Sequence, residues 1–184
     1  MTYSRLEISD VILCEPKVFG DNRGYFTESF NKKSFDDFLG KSVNFLQDNE
    51  SQSSKGVFRG LHYQIDPYAQ AKLVRVISGS VIDFIVDIRK NSQTFKKHLA
   101  IKLSDKNKKQ IYIPKGFAHG FLALEDNTIF SYKVDNGYSS NHDRGININD
   151  PSIKIELKEY FSEEILLSKK DQSSLFLESQ KDIF

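Results

Sequence analysis

The sequence predicts a mainly β chain, a sandwich or barrel with a few short helices at its edge. Three observations predict it. Short runs rich in Val and Ile fill the middle of the chain, turn-forming residues separate them at close spacing, and no alternation of strand and long helix is present to build a doubly wound sheet. The first element read from the pattern is a helix: Asn31 is a good N-cap, Phe35, Phe38 and Leu39 share one face, and Gly40 stops it. A strand is expected around Arg59 to Gln64. Leu73 to Ile77 and Val81 to Ile88 flank Ser78-Gly79-Ser80, which predicts a hairpin. Along Val81 to Ile88, side chains alternate between faces. Ile82, Phe84, Val86 and Ile88 share one face, and Val81, Asp83, Ile85 and Asp87 share the other. Further strands are expected at Leu99 to Leu103, Gln110 to Ile113, Gly120 to Leu124, Ile129 to Val134 and Lys154 to Leu157. A second short helix is expected near Glu163 to Leu167.

The chain has 184 residues, 39% apolar and 28% charged, with 15 Phe, 8 Tyr and no Trp. That length and composition predict one domain over residues 1–184, whose Ser-rich, charged last stretch from about Glu159 packs outside the main body. The formal net charge of +1 provides no global field for gripping nucleic acid or an anionic membrane. No apolar run approaches the ~20 residues of a membrane helix, and Arg5, Glu7 and Asp10 interrupt the start where a signal peptide would be apolar. A cytoplasmic setting is therefore expected. The single Cys14 sits in an apolar run and reads as a small buried residue rather than a nucleophile.

Several chemistries are disfavoured by missing motifs. There is no GxxxxGK[ST] loop, no GxGxxG between strand and helix, no GxSxG, no CxxC and no HExxH. A β-barrel can hold a metal with two His two residues apart on one strand, but here the strand reads Leu61-His62-Tyr63-Gln64, with Gln64 in the second place. No metal and no cofactor are expected. Other residues suggest acid–base and anion chemistry. Arg59-Gly60-Leu61-His62 brings a cation, a flexible Gly and an imidazole together. Lys72 stands in phase with Val74 and Val76, and an expected hairpin partner carries Asp83; a Lys and an Asp on one central face suggest a polar cavity, or else an exposed ion pair. His119 lies between Gly and Phe residues, and Tyr132 is either a sheet aromatic or an acid. Arg23 and Arg59, each beside a Gly, suit a phosphate or a surface loop.

The combination is more specific than its parts. Phe19-x-Asp21-x-Arg23-Gly24-x-Phe26-x-Glu28, Gln47-Asp48-Asn49-x-Ser51, Gly56-Val57-x-Arg59-Gly60-Leu61-His62-Tyr63-Gln64, Gln70-x-Lys72-Leu73-Val74, Val86-Asp87-x-Arg89-x-x-Ser92-x-Thr94-Phe95, Ile113-Pro114-x-Gly116-Phe117-Ala118-His119-Gly120-Phe121 and Asn149-Asp150-Pro151 occur in that order. From about Phe19 to Asp171 the chain resembles the dTDP-4-dehydrorhamnose 3,5-epimerase family. The resemblance implies a cupin-type jelly-roll barrel, a homodimer with strands exchanged between subunits, and a metal-free enzyme acting on a dTDP-sugar. It implies His62 as base, Asp171 as the carboxylate that orients it, Lys72 as the cation facing the oxyanion, and Tyr132 as the acid. His119 and Asp83 would support the sugar site, and Arg23 and Arg59 would clamp the diphosphate. Glu28, Gln47, Asn49, Tyr138, Asp143 and Lys170 would supply polar contacts, with Phe19 or Phe26 stacking on the base. The chain departs from the family pattern at Ile148 and Leu157, where Trp is usual, at Ser140 for Pro and at Asp143 for Glu. A C3-only epimerase, a ketoisomerase and a non-catalytic sugar-nucleotide-binding jelly roll are the alternatives.

Overall fold

The computed structural model describes residues 1–184. In chain order its strands are β1 (Thr2–Arg5), β2 (Ile12–Glu15), β3 (Val18–Asp21), β4 (Gly24–Thr27), β5 (Gln47–Ser53), β6 (Phe58–Gln64), β7 (Lys72–Ser78), β8 (Ser80–Asp87), β9 (His98–Ser104), β10 (Gln110–Ile113), β11 (Phe117–Ala123), β12 (Thr128–Val134) and β13 (Asp143–Gly145). Helix α1 (Lys32–Leu39) precedes β5, and the four-residue α2 (Lys169–Gln172) lies near the end. A six-stranded sheet runs β1-β2-β10-β7-β12-β5, and a five-stranded sheet runs β13-β6-β11-β8-β9, all antiparallel. The two face each other as a jelly roll. Strands β3 and β4 form a separate ribbon.

Strand β8 shows why the strand pattern reads as it does. All eight of its residues are buried, because both of its faces are covered. Val81 and Ile85 pack between the sheets with Val74, Val76, Ile111, Phe117, Phe121 and Phe130. Ile82, Phe84, Val86 and Ile88 pack on the outer side against Ile146, Ile148, Ile153, Ile155 and Leu177 of the chain's last part. Burying each such side chain contributes roughly 1.5–3 kcal/mol. Helix α1 covers the other sheet, with Phe35 against Tyr112, Ile12 and Cys14. It has the expected ends: the Asn31 side chain accepts from Ser34 N–H, and Gly40 is left-handed at φ 71°. Burial raises the Cys14 thiol to about 12, which leaves it unreactive.

Three expectations are corrected. Strands β7 and β8 do not form a hairpin. Each is already flanked by two partners in its own sheet, and Gly79, at φ 79°, turns the chain from one sheet into the other. A Cβ there would lie 3.1 Å from the Thr128 Cα. Lys72 and Asp83 therefore lie on facing sheets and not along one ribbon. Lys154 to Leu157 form no strand: Lys154 has φ 59°, and Ile153 and Ile155 turn onto the outer core. Glu163 to Leu167 form no helix. Leu166 instead bridges to Val57, donating to the Gly56 carbonyl at 2.9 Å and accepting from Phe58 N–H at 3.0 Å.

Candidate active site

The site grows from an irregularity in β6. Opposite β11, His62 pairs with His119 and Arg59 pairs with Phe121, so β6 spends one more residue than its partner over that stretch. This bulge puts both Arg59 and His62 on the inner face, which a regular strand could not do with residues three apart. Gly60, at φ 132°, takes up the extra length. A Cβ on it would lie 2.5 Å from the Gly120 Cα and 2.9 Å from the His119 carbonyl. Glycine is required at this close crossing.

On the inner face of the six-stranded sheet, Lys72 and Val74 of β7 lie beside Val134 and Tyr132 of β12, and Tyr132 lies opposite Asn49 of β5. The two inner faces enclose a cleft of about 550 Å³. Arg59, His62, Lys72, His119, Tyr132, Tyr138, Asp143, Lys170 and Asp171 all line it. Phe121 and Phe130, stacked at 4.1 Å, contribute apolar wall.

Asp171 reaches the cleft from a strap outside the sheets. The strap is tied to β6's neighbourhood at Leu166 and to Ile146 at Leu175, where Asn147 N–H donates to the Leu175 carbonyl at 3.0 Å. Between these ties, α2 presents Asp171 to the imidazole. His62 Nε2 and Asp171 Oδ1 are 2.6 Å apart. The Ser168 hydroxyl donates to Asp171 Oδ2 at 2.8 Å and accepts the Asp171 N–H at 3.1 Å, capping α2 and fixing the carboxylate together. Burial raises the Asp171 carboxyl, but the His62 and Ser168 hydrogen bonds and nearby Lys170 outweigh it and hold it below the usual range. With Asp171 accepting Nε2–H, the Nδ1 lone pair of His62 is available as a base.

The other groups are tuned by burial. Desolvation lowers the Lys72 ammonium to about 8, partly offset by Asp143 and Asp83. Burial, and then the negative Asp143, raise the Tyr132 phenol, which is therefore protonated at neutral pH. His119 Nε2 lies 2.8 Å from Asp83 Oδ2. Burial lowers the His119 pKa and raises that of Asp83, favouring the neutral form of each. Asp83 thus stands behind His119, away from the cleft surface. Lys170 and the Tyr138 hydroxyl both reach Asp143 Oδ2, the latter at 3.3 Å.

Besides Asp83, six of the predicted residues stand away from the cleft lining in this chain. Gln47 and Asn49 are on β5, on the same face as Tyr132, with the Gln47 amide donating to Asn49 at 2.6 Å. Phe19 and Phe26 pair across the β3–β4 ribbon, 6.5 Å between rings, and Arg23 at its tip binds only Asp21. Glu28 accepts from the Asn31 amide beside α1. Sequence reading missed Glu50, Ser51, Gln70 and Ser168 as lining residues. Ser51 and Gln70 stood in the quoted motifs without a role, and Ser168 carried a signal in its place three residues before Asp171 at a helix start.

A jelly roll that faces a carboxylate-held imidazole toward a neutral phenol and an ammonium is an acid–base isomerase scaffold of the cupin type. The family model described as dTDP-4-dehydrorhamnose 3,5-epimerase matches residues 5–179. The dTDP-4-dehydrorhamnose 3,5-epimerase of Shigella flexneri is 56% identical over 156 residues, 85% of this chain and 86% of that protein. A dTDP-6-deoxy-D-glucose-3,5-epimerase from Legionella pneumophila, solved with dTDP-4-keto-L-rhamnose, superposes with a TM-score of 0.92 at 42% identity, covering 97% of this chain and 93% of that one. A 3'-monoepimerase from Streptomyces bikiniensis, solved with dTDP-quinovose, gives 0.90 at 29% identity, covering 96% and 88%. The chain belongs to the dTDP-4-dehydrorhamnose 3,5-epimerase family, and its enzyme class is that of an isomerase.

Proposed function

We propose that this chain epimerises dTDP-4-dehydro-6-deoxy-glucose at C3 and C5 to dTDP-4-dehydro-rhamnose. The supporting observation is that His62, Asp171, Lys72 and Tyr132, from four separate parts of the sequence, line one cleft. Carbons 3 and 5 both adjoin the C4 ketone, so each carries an acidic hydrogen. In a gluco-configured chair both hydrogens are axial on the same ring face, so one base serves both. His62 Nδ1 removes the proton, and Asp171 stabilises the imidazolium that forms. The electron pair moves into the C4 oxygen, where Lys72 faces the developing negative charge. The neutral phenol of Tyr132 returns a proton to the opposite face, which inverts the carbon.

Arg59 and Lys170 hold the diphosphate in this reading, and Tyr138 lies along the nucleotide. The ribbon of β3 and β4 leaves Phe19 53% and Phe26 68% exposed, with Arg23 outside the cleft. Exposed aromatics beside a cation held only by the exposed Asp21 suit a nucleotide held in another copy's cleft. A homodimer in which each ribbon completes its neighbour's site accounts for them, with Arg23 of the partner subunit on the diphosphate. No helix is long and apolar enough to cross a membrane.

The test is the product formed by the purified chain from dTDP-4-dehydro-6-deoxy-glucose, read by NMR. Inversion at both carbons is expected. Inversion at C3 alone would make it a monoepimerase, and unchanged substrate would leave only a binding module.

A further inference from the structure

Gln64 stands in phase with His62 on β6, where a second imidazole would complete a metal-holding pair, and the reaction above gives it no task. Its side chain borders the cleft, the residue is 5% exposed, and its amide is already engaged. Nε2 donates to the Tyr68 carbonyl at 2.8 Å and to the Gly137 carbonyl at 3.0 Å. Oε1 accepts the Ser139 N–H at 2.7 Å. Both amide hydrogens are used, so no donor is left for a ligand.

These three bonds join β6 to two loops at the mouth of the cleft. The loops are also tied to each other. Ile65 N–H donates to the His142 carbonyl at 3.0 Å, the Gln70 amide donates to the Asn136 carbonyl at 2.7 Å, and the Tyr68 ring lies 4.6 Å from that of His142. Gln64 borders the cleft, as does Gln70, and it is Gln64 whose side chain bonds both loops. The second loop carries Tyr138, 61% exposed at the mouth, and leads into Asp143, which binds Lys170 and Tyr138. The Gln64 side chain bonds to none of His62, Lys72, Tyr132 and Asp171.

We propose that Gln64 is a positioning residue that sets the nucleotide-facing mouth of the cleft by holding the loop of Tyr138 and Asp143. The inference rests on the functional reading above, in which that mouth takes the nucleotide end of the substrate. Gln64 then governs ground-state affinity and leaves the chemical step alone.

The test uses Gln64→Met, which keeps length but removes every hydrogen bond, and Gln64→Glu, which keeps an acceptor for Ser139 and loses both donors. Each variant is first checked for native strand content. Loss of bonds to buried backbone groups in Gln64→Met is expected to weaken thymidine diphosphate binding and raise KM roughly tenfold, with kcat within about twofold of the parent. Gln64→Glu falls between. Amide hydrogens of Tyr138 and Ser139 exchange faster in both. In a Tyr138→Ala background, Gln64→Met adds little further loss, because it acts through that loop. A fall in kcat at unchanged KM, unaltered exchange in the loop, or full additivity with Tyr138→Ala overturns the proposal. A parent chain that fails to bind thymidine diphosphate overturns the functional reading instead.

Discussion

Lys72 sits at the balance point of the site. Desolvation lowers its pKa to about 8, while Asp143 and Asp83 hold it from falling further. Its value to the reaction is its charge, so kcat/KM should fall as pH rises through about 8, and Lys72→Met should remove that limb along with most of the rate. A pH–rate profile checks both; an unchanged alkaline limb in a slowed Lys72→Met would assign the limb to another group. Tyr132, raised by burial and by Asp143, is protonated across the same range. Tyr132→Phe should still exchange the α-hydrogens with solvent but yield little inverted product. NMR of the sugar separates the two events, and full product formation in Tyr132→Phe would remove it as the acid. At this scale the sequence was most legible. His62 and Lys72 were marked by polar side chains among apolar neighbours, whereas Tyr132 as an acid and Asp171 were reached only through the family resemblance. What spacing could not show was the Ser168 clamp on Asp171, because a Ser near a helix start usually serves the helix alone.

Among the elements, the bulge in β6 does the most to shape the cleft. Gly60 lets Arg59 and His62 face inward together and lets β6 press against Gly120. Gly60→Ala places a methyl group against backbone at a positive φ, so it should cost about 2 kcal/mol or more of stability and cut activity at least tenfold. Urea unfolding with parallel rate measurements tests this; a fully active Gly60→Ala of native stability would refute the account of the bulge. Elements announced by local chemistry were read correctly, such as α1 with its Asn31 and Gly40 ends. The turn at Gly79 was located but misread, since a Gly-centred turn looks the same whether the next strand pairs back or crosses to the facing sheet. Strands β1 to β5 went unread because they are short, polar or edge elements whose alternation is weak. The strap around Asp171 was read as a helix at Glu163 to Leu167, because a bridge to Val57 is a non-local contact that periodicity does not encode.

Across the whole molecule, the apolar face of the β3–β4 ribbon and the half-open cleft are complementary in chemistry but separate in one chain. The proposed exchange predicts a result that no single-chain site would give. Arg23→Ala and His62→Ala are each expected to be nearly inactive alone. Mixed and allowed to reassort, they should recover about a quarter of parental sites, since half of the dimers pair an intact ribbon with an intact base. No recovery after proven subunit exchange would place Arg23 outside the partner's cleft. The central claim is proton removal by one imidazole from both carbons beside the ketone. Its most direct measurement is the reaction in deuterium oxide, with deuterium located in the recovered sugar by NMR. The account predicts label at C3 and C5 with the parent chain and at neither with His62→Ala, while that variant still binds thymidine diphosphate. Label at both carbons with His62→Ala, or at neither with the parent chain, would contradict it.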